Sequence, residues 1–291
     1  MKETNNIQIK MSLKCRILSN ERVSGDNGDS GDSGDIYRLA FESNELAGTA
    51  APGQFVMIKC GGGAYLRRPF SFCDICEATG AAVIMYRLAG AGTQSLSKLA
   101  PGDELDVLGP LGKGFESLSC KAAIVGGGIG IFPLLLLARR LHEMGNAPDV
   151  YAGYHDSGSV VLESEFQSLS SGYTLVSDDG STGVKGYVTD AFAEALANGA
   201  KYDAVYACGP VPMLSALKTI CDRNSIRAQF SLEQRMGCGI GACLVCACAV
   251  KYDNAGHTGG AALPGVVKYA RVCSDGPVFS SDKLVFQDAE V

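Results

Sequence analysis

The sequence has 291 residues, of which 46% are hydrophobic and 19% are charged, and its formal net charge is −6. This length allows two or three domains with substantial cores. The negative charge and the absence of a run of basic residues argue against a nucleic-acid partner, because phosphates require a cationic surface.

The twelve cysteines do not indicate a disulfide scaffold, which is typical of short secreted chains with a signal peptide. Residues 1–11 are polar, and the longest apolar stretch, residues 131–138, is too short to span a bilayer. We therefore expect a cytoplasmic protein without a membrane segment, whose thiols stay reduced. Cys73 and Cys76 form a C-x2-C pair, but no further ligands lie nearby, so ordinary thiols are favoured over a metal site.

Residues 1–118 form the first predicted domain. Short alternating apolar runs, such as residues 54–59 and 82–87, are separated by Gly and Pro, a texture typical of a small antiparallel β-barrel. Residues 24–35 repeat Gly, Asp and Ser, which suggests either a calcium-binding β-roll or a solvated hairpin loop. The loop is favoured, because a β-roll needs an apolar residue in each repeat.

A cation and a hydroxyl lie close together in the segment Arg67-Arg68-Pro69-Phe70-Ser71. Arg68 is suited to hold a pyrophosphate, and Ser71 to reach the edge of a flat ring. The alternative is an arginine in a surface salt bridge. A binding role is supported by further residues of the same domain: Met85, Tyr86, Arg87, Gly92 and Thr93. Gly92 and Thr93 offer backbone N–H groups ahead of a short helix predicted over residues 94–99.

Residues 119–231 form the second predicted domain, in which apolar strands alternate with helices. The strands are predicted over residues 122–125, 149–154, 173–176, 204–207 and 227–231, and the helices over 132–143, 189–197 and 212–223. This alternation predicts an α/β domain with a parallel sheet and helices on both faces.

Two glycine turns follow strands of this sheet. The first contains Gly126, Gly127, Gly128 and Gly130 and leads from strand to helix, the arrangement that sets a pyrophosphate against a helix N-terminus. Ile131 stands where a third motif glycine would be, so a turn that merely packs is the alternative. The second turn, Cys208-Gly209-Pro210, would bring backbone close to a flat ligand at the carboxyl edge of the sheet.

A long span of the second domain lacks cations. Residues 141–184 contain no Lys or Arg but seven acidic residues, whereas the 2′-phosphate of NADP needs a cation. Asp156 follows the second strand and would accept a hydrogen bond from the ribose 2′-hydroxyl of NAD, although a solvated turn residue is the alternative. A preference for NAD(H) is therefore predicted, unless Arg139 or Arg140 reaches across from the preceding helix.

Residues 232–291 form the third predicted domain and contain Cys238, Cys243, Cys246 and Cys273. C-x4-C-x2-C followed by a distant cysteine is the plant-type [2Fe-2S] spacing, and the intervening glycines let backbone N–H groups point at the sulfurs. Zinc sites usually have two C-x2-C pairs or added histidines, and only His257 is near. Zinc and unligated thiols remain the alternatives.

These motifs, in this order, resemble the flavin reductases of the ferredoxin reductase superfamily, and more narrowly the electron-transfer subunits of type B dihydroorotate dehydrogenases. The resemblance covers nearly the whole chain and extends to residues 52–55, 101–112, 231–238 and 272–279. Two departures are visible. Residues 24–35 look like an insertion, and the stretch between Cys246 and Cys273 looks longer than usual.

The resemblance implies FAD on residues 68–71, 85–87, 92 and 93, and NAD on the two glycine turns. It makes Ser71 and Cys208 the candidate catalytic residues. The cluster would link FAD to the FMN of a separate dihydroorotate dehydrogenase catalytic subunit, in a heterotetramer with two copies of each chain. Electrons would pass from FMN through [2Fe-2S] and FAD to NAD⁺.

Two other functions stay open at this point. The same cofactors occur in flavin subunits with another partner, of the sulfide dehydrogenase, ferredoxin oxidoreductase or sulfhydrogenase type. A plain electron carrier or iron-sulfur assembly module would lack flavin and would not react with NADH, in contrast to what the two nucleotide-type motifs predict.

Overall fold

The structure is a computed structural model that describes residues 12–24, 34–63, 65–251 and 267–286. Most of the predicted Gly/Asp loop and His257 lie outside these residues. No helix within the described ranges is long and apolar enough to cross a membrane.

The first unit is a closed antiparallel barrel with the strand order β1-β2-β5-β4-β3-β6, as the sequence predicts. Leu39, Phe41, Val56 and Ile58 are fully buried in its interior, because alternate residues of each strand point inward. The strands are β1 (Ser12–Ser24), β2 (Ile36–Glu42), β3 (Phe55–Lys59), β4 (Arg68–Cys76), β5 (Ala81–Arg87) and β6 (Glu104–Leu111).

Two short helices accompany the barrel. The first, α1 (Asn44–Thr49), begins after Ser43, whose hydroxyl accepts a hydrogen bond from the Leu46 N–H at 3.3 Å. The second, α2 (Ala91–Leu96), begins three residues before the predicted 94–99. The reason is local: the Thr93 hydroxyl accepts the Gly90 N–H at 3.2 Å and fixes the start of the helix there. The prediction of 94–99 is therefore wrong in its boundaries.

The second unit is built on a seven-stranded sheet with the order β10-β9-β8-β7-β11-β12-β15. All strands are parallel except the last, which runs antiparallel to β12. Its first six strands in chain order are β7 (Ala122–Gly127), β8 (Asp149–Tyr154), β9 (Gly172–Ser177), β10 (Val184–Lys185), β11 (Ala204–Cys208) and β12 (Arg227–Ser231).

Four helices cover the two faces of this sheet: α3 (Phe132–Glu143), α4 (Glu163–Leu169), α5 (Val188–Ala197) and α6 (Val211–Arg223). Ala122 and Ile124 of β7 pack with α3 and α4, whereas Ala123 and Val125 pack with α5 and α6. This alternation explains why β7 is apolar throughout, since both of its faces are buried. The helix α4 was absent from the sequence prediction because it is short and half polar.

The third segment does not form a separate layer. Its strands β13 (Ala247–Lys251) and β14 (Val267–Arg271) pair with each other, and β15 (Val278–Ser280) joins the large sheet beside β12. Gly239 approaches the barrel so closely that a Cβ there would lie 2.6 Å from Met57 Cγ. The segment is thus wedged between the barrel and the sheet, and the domain limits at 118 and 231 stay a prediction.

Candidate functional site

A largely apolar recess lies where the barrel, the large sheet and the third segment meet. Its walls suit a flat aromatic ring, because apolar side chains surround only a few polar groups. The structure brings six of the predicted flavin residues together here, with neighbours from the two other segments: Pro69, Phe70, Ser71, Met85, Tyr86, Arg87, Phe55, Ile129, Pro133, Leu232, Glu233, Met236 and Pro277.

Tyr86 forms a fixed part of the recess wall. Its ring stacks on Tyr37 at 5.5 Å and meets Phe70 edge-on at 5.8 Å. Its hydroxyl donates to Asn20 Oδ1 at 3.0 Å, and burial raises its pKa. Tyr86 therefore stays a neutral phenol. The hydroxyl of Ser71, in contrast, has no hydrogen-bond partner among the described residues and is free to meet a ring edge.

Arg68, Gly92 and Thr93 do not line the recess; Arg68 precedes Pro69 of the recess wall in the chain and lies beside α2. Its Nη1 donates to the Leu66 carbonyl at 2.8 Å, and no carboxylate of the described residues pairs with it. A Cβ at Gly92 would lie 3.4 Å from Arg68 Nε, so glycine permits α2 to approach the guanidinium. The Thr93 hydroxyl is already bonded to Ala89 and Gly90. Arg68 is thus the available cation for a phosphate.

The two predicted glycine turns meet at the carboxyl edge of the large sheet. A Cβ at Gly130 would lie 2.5 Å from the Cys208 carbonyl oxygen, and one at Gly127 would lie 3.1 Å from Pro210 Cδ. Gly126 is required because Ile131 Cδ1 fills the space 2.2 Å from its Cβ position. Ile131, which stands in place of the third motif glycine, is thus accommodated because Gly126 leaves room for its side chain.

Cys208 lies fully buried at the end of β11. Burial raises the pKa of its thiol well above the usual range, so it stays a neutral thiol and is unsuited to act as a nucleophile. Its remaining contribution is steric, since its carbonyl packs against Gly130. A role beside the nicotinamide stays a prediction.

A second recess opens beside these turns and has the position expected for a dinucleotide at this edge of a parallel sheet. Asp178, after β9, lies in its wall, whereas Asp156 does not. Asp156 instead caps a 3₁₀ turn, where its Oδ1 accepts the Ser159 N–H at 2.9 Å. The lining residues are Gly127, Gly128, Gly153, Tyr154, His155, Asp178, Tyr187, Val188, Thr189, Pro210, Pro212, Met213 and Ala216.

The two arginines of α3 are engaged elsewhere. Arg139 forms a two-pronged ion pair with Asp74 of the barrel, at 2.9 and 2.8 Å. Arg140 pairs with Glu77 and, at 3.2 Å, with Glu143. Neither guanidinium lines the second recess. The Arg139–Asp74 pair joins α3 to β4. The recess wall contains Asp178 and His155, whose Nδ1 lies 3.4 Å from Asp178 Oδ2.

We predict that NADH is preferred over NADPH and that Asp178→Ser reduces this preference more than Asp156→Ser. A carboxylate that binds the ribose hydroxyls repels a 2′-phosphate, and a charge-assisted hydrogen bond contributes about 1.5–3 kcal/mol, or roughly tenfold to a hundredfold. Steady-state NADH and NADPH oxidation with a dye acceptor gives both kcat/KM values. Equal values in the unmodified protein would contradict the preference, and a larger effect of Asp156→Ser would restore the sequence assignment.

The four cysteines of the third segment converge on one loop. Cys238 Sγ accepts the N–H groups of Ile240 at 3.4 Å and Ala242 at 3.3 Å. Cys273 Sγ accepts the Gly241 N–H at 3.2 Å, and Cys246 Sγ accepts the Cys273 N–H at 3.4 Å. Gly239 and Gly241 have φ values of +74° and +83°. These conformations aim backbone donors at sulfur, as an iron-sulfur cluster requires.

Two of these thiols differ widely in acidity. Burial opposes the ionisation of Cys238, but backbone N–H donors, led by that of Ile240, lower its pKa to about 6. Burial and the adjacent Cys246 thiol raise the pKa of Cys273 to about 12. Within the described residues, no group of three or more His, Cys, Asp or Glu side chains is arranged to hold a metal ion.

One buried hydroxyl supports the fit to an iron-sulfur cluster. Ser274 Oγ is buried and has no hydrogen-bond partner among the described residues. It lies in the cluster loop, 2.9 Å from the position that a Cβ of Gly241 would occupy. A buried hydroxyl without a partner is costly, and the sulfur atoms of a bound cluster would supply the missing acceptor. The donor set and this hydroxyl both fit a [2Fe-2S] cluster.

Glu233 is a site residue to which the sequence analysis gave no role. It lines the first recess five residues before Cys238. Its side chain is exposed to solvent, but desolvation by the surrounding recess walls raises the pKa of its carboxyl, and the positive charge of Arg87 counters part of that rise. The sequence signal that could have identified Glu233 was its position in residues 231–238, one of the segments that carry the family resemblance. Glu233 and Met236 line the recess, and the cluster loop begins at Cys238, two residues after Met236.

Comparison with known proteins gives two family matches. Residues 233–285 match the iron-sulfur cluster binding domain of dihydroorotate dehydrogenase B, and residues 124–219 match the oxidoreductase NAD-binding domain. The chain is 38% identical over 279 residues to the electron transfer subunit of dihydroorotate dehydrogenase B (NAD(+)) from Caldanaerobacter subterraneus, covering 96% of this chain and 100% of that one. Its counterpart from Geobacillus thermodenitrificans is 41% identical over 256 residues, covering 86% and 92% of the two chains.

Solved structures agree with this fold. An NADH-dependent reduced ferredoxin-NADP oxidoreductase superimposes with a TM-score of 0.77 at 28% identity, covering 93% of this chain and 89% of that one. A ferredoxin-NADP⁺ reductase from Plasmodium falciparum has a TM-score of 0.60 at 16% identity, covering 74% of this chain and 95% of that one, and it is similar in fold alone.

Proposed function

This chain belongs to the family of the electron transfer subunits of dihydroorotate dehydrogenase B, and we propose on that premise how its residues divide the work. Its function is electron transfer to NAD⁺ in pyrimidine biosynthesis, with FAD and a [2Fe-2S] cluster as cofactors. The observation that carries this assignment is the position of Glu233 and Met236, which line the flavin recess and lie immediately before the loop of the cluster cysteines in the chain.

Each group of residues has one task. Arg68 would hold the FAD pyrophosphate, and the barrel residues Pro69 to Ser71 and Met85 to Arg87 would hold and orient the ring. The turns at Gly126 and Gly209 would place the nicotinamide against it. FAD supplies the required chemistry when bound, because a flavin exchanges hydride with nicotinamide and single electrons with a cluster. Ile129, Pro133 and Pro277 would give the ring an apolar surface to pack against.

The electron donor would be the FMN of a partner catalytic subunit, which docks over the cluster. Cys243 is exposed, and three exposed apolar side chains lie within three residues of it in the chain: Ile240 (57%), Leu244 (63%) and Val245 (57%). An apolar rim around a redox centre fits a protein partner better than bulk water. We propose a cytoplasmic heterotetramer with two copies of each chain.

We predict that Ile240→Glu weakens the complex by on the order of tenfold or more, because a charge placed in an apolar interface core loses its hydration. Sedimentation with the purified partner measures the complex, and dye reduction by NADH reports whether the flavin site is intact. Met144→Glu, at the exposed C-terminal end of α3, is the matched control. Equal binding by both variants would place the interface elsewhere.

The deciding experiment is dihydroorotate-dependent NAD⁺ reduction, followed by NADH absorbance, with the cognate catalytic subunit present. We expect turnover only when both subunits are combined. A related function is favoured by one observation, the similarity to the NADH-dependent reduced ferredoxin-NADP oxidoreductase. NAD⁺ reduction by reduced ferredoxin, without any response to dihydroorotate and the partner subunit, would replace the proposal by that second function.

A further inference from the structure

An ion pair beside the cluster loop has no role in the assignments above. Arg271, the last residue of β14, donates from Nε to Asp275 Oδ2 at 3.0 Å and from Nη2 to Asp275 Oδ1 at 3.2 Å. The backbone N–H of Arg271 also donates to Asp275 Oδ2, at 2.8 Å. Cys273 lies midway between the two residues in the chain. The pair therefore closes a tight loop around one cluster ligand.

The remaining guanidinium nitrogen, Nη1, connects Arg271 to the loop that contains Cys238 and Gly241. Arg271 Nη1 donates to the Gly241 carbonyl at 3.0 Å. The peptide group that contains this carbonyl also contains the Ala242 N–H, which donates to Cys238 Sγ at 3.3 Å. Arg271 is thus connected through a single peptide group to a second cluster ligand.

Hydrogen bonds in such a chain strengthen one another. A charged donor on the carbonyl oxygen polarises the peptide, and its N–H becomes a better donor to sulfur. Reduction adds one electron, and hence one negative charge, to the cluster, so donors and cations near the sulfurs favour the reduced state. The Arg271 charge acts in this direction, and the Asp275 charge acts against it.

We propose that the Arg271–Asp275 pair sets the reduction potential of the bound cluster, with Arg271 as a positioning residue for the peptide between Gly241 and Ala242. The paired charges nearly cancel, which holds the potential between the values that either charge alone would impose. The inference rests on the proposed cysteine ligands, but it requires neither the partner subunit nor NAD⁺.

The pair is partly open to solvent, with side-chain exposures of 40% and 35%. Its charges are therefore screened, and the effects of removing them are moderate. Arg271→Gln leaves an unpaired carboxylate and a weaker N–H donor, so the potential falls. Asp275→Asn leaves an unpaired guanidinium, and the potential rises. The asparagine amide oxygen keeps the acceptor for the Arg271 N–H, so the turn is preserved.

The test is a redox titration of the isolated chain, with the reduced cluster followed by electron paramagnetic resonance and bound iron measured in parallel. We expect shifts of opposite sign, each about threefold to tenfold in the reduction equilibrium, where tenfold equals 59 mV for one electron. Both shifts should shrink at high salt, and the double variant should lie between the single ones. Arg271→Lys, which keeps the charge, should shift the potential less than Arg271→Gln.

Shifts of the same sign, or no shift in variants with full iron content, would overturn the proposal. If Arg271→Gln fails to hold iron, Asp275→Asn still decides, because its potential must rise. Failure of the proposed function is recognised separately. A chain without any [2Fe-2S] signal would refute the ligand assignment, whereas a normal signal with unmoved potentials would refute only the role of the Arg271–Asp275 pair.

Discussion

Replacing Cys246 with serine is expected to abolish the [2Fe-2S] absorbance, whereas replacing Cys248, two residues further along, is expected to leave it intact. Cys246 is 2% exposed and accepts the N–H of Cys273, so its sulfur faces the other cluster cysteines. Cys248 lies within β13 opposite Ala270. Loss of a direct ligand should exceed the roughly 10- to 100-fold cost in metal affinity that removal of an outer partner causes.

Visible spectra and iron analysis measure this result. In Cys246→Ser, dye reduction by NADH should survive, because it needs only the flavin and nicotinamide sites. NAD⁺ reduction driven by the partner should fail. The serine variants of Cys238, Cys243 and Cys273 should behave like Cys246→Ser. A cluster that persists in Cys246→Ser but disappears in Cys248→Ser would show that the ligand set is wrong.

Replacing Arg68 with alanine is expected to weaken FAD binding by about tenfold to a hundredfold, since a charge-assisted bond to phosphate contributes roughly 1.5–3 kcal/mol. The fold should persist, because the partners of Arg68 within the described part of the chain are nearby backbone carbonyls. Arg67→Ala is the matched control. Arg67 pairs with Asp106 at 2.7 Å and donates to the Asp106 carbonyl at 3.0 Å, so its loss should lower the Tm of the barrel instead.

Fluorescence titration of the flavin-free chains gives the Kd for FAD, and thermal unfolding without flavin gives the Tm. A fully flavinated Arg68→Ala protein after extensive dialysis would reject Arg68 as the phosphate ligand. Equal losses of FAD affinity in both variants would mean that the two arginines act through the barrel as a whole.

Features with a local cause were predictable from the sequence. Cys238, Cys243 and Cys246 lie within one loop, so their spacing is visible in the sequence. The alternation of strands and helices from residue 122 onward follows from buried faces that recur along the chain. The family resemblance supplied the remaining cofactor assignments, and the comparisons confirm that family.

Features that depend on distant contacts were not predictable. Asp156 and Asp178 both follow strands of the sheet, and only the folded chain reveals which carboxylate lines the second recess. The start of α2 depends on one hydroxyl. Arg139 was a candidate cation for a phosphate until its pairing with Asp74, 65 positions away, became visible. A sequence pattern carries no information about such partners.

The place of β15 in the large sheet has a consequence for attempts to dissect the molecule. A chain cut after Ser231 would keep every parallel strand, yet β12 would lose the hydrogen bonds that Phe230 and its neighbours make with β15. The freed backbone groups and the uncovered apolar side would form an open edge, which invites pairing between chains. The nicotinamide-binding part should therefore aggregate when it is produced without the cluster-binding part, so the two should be expressed as one chain.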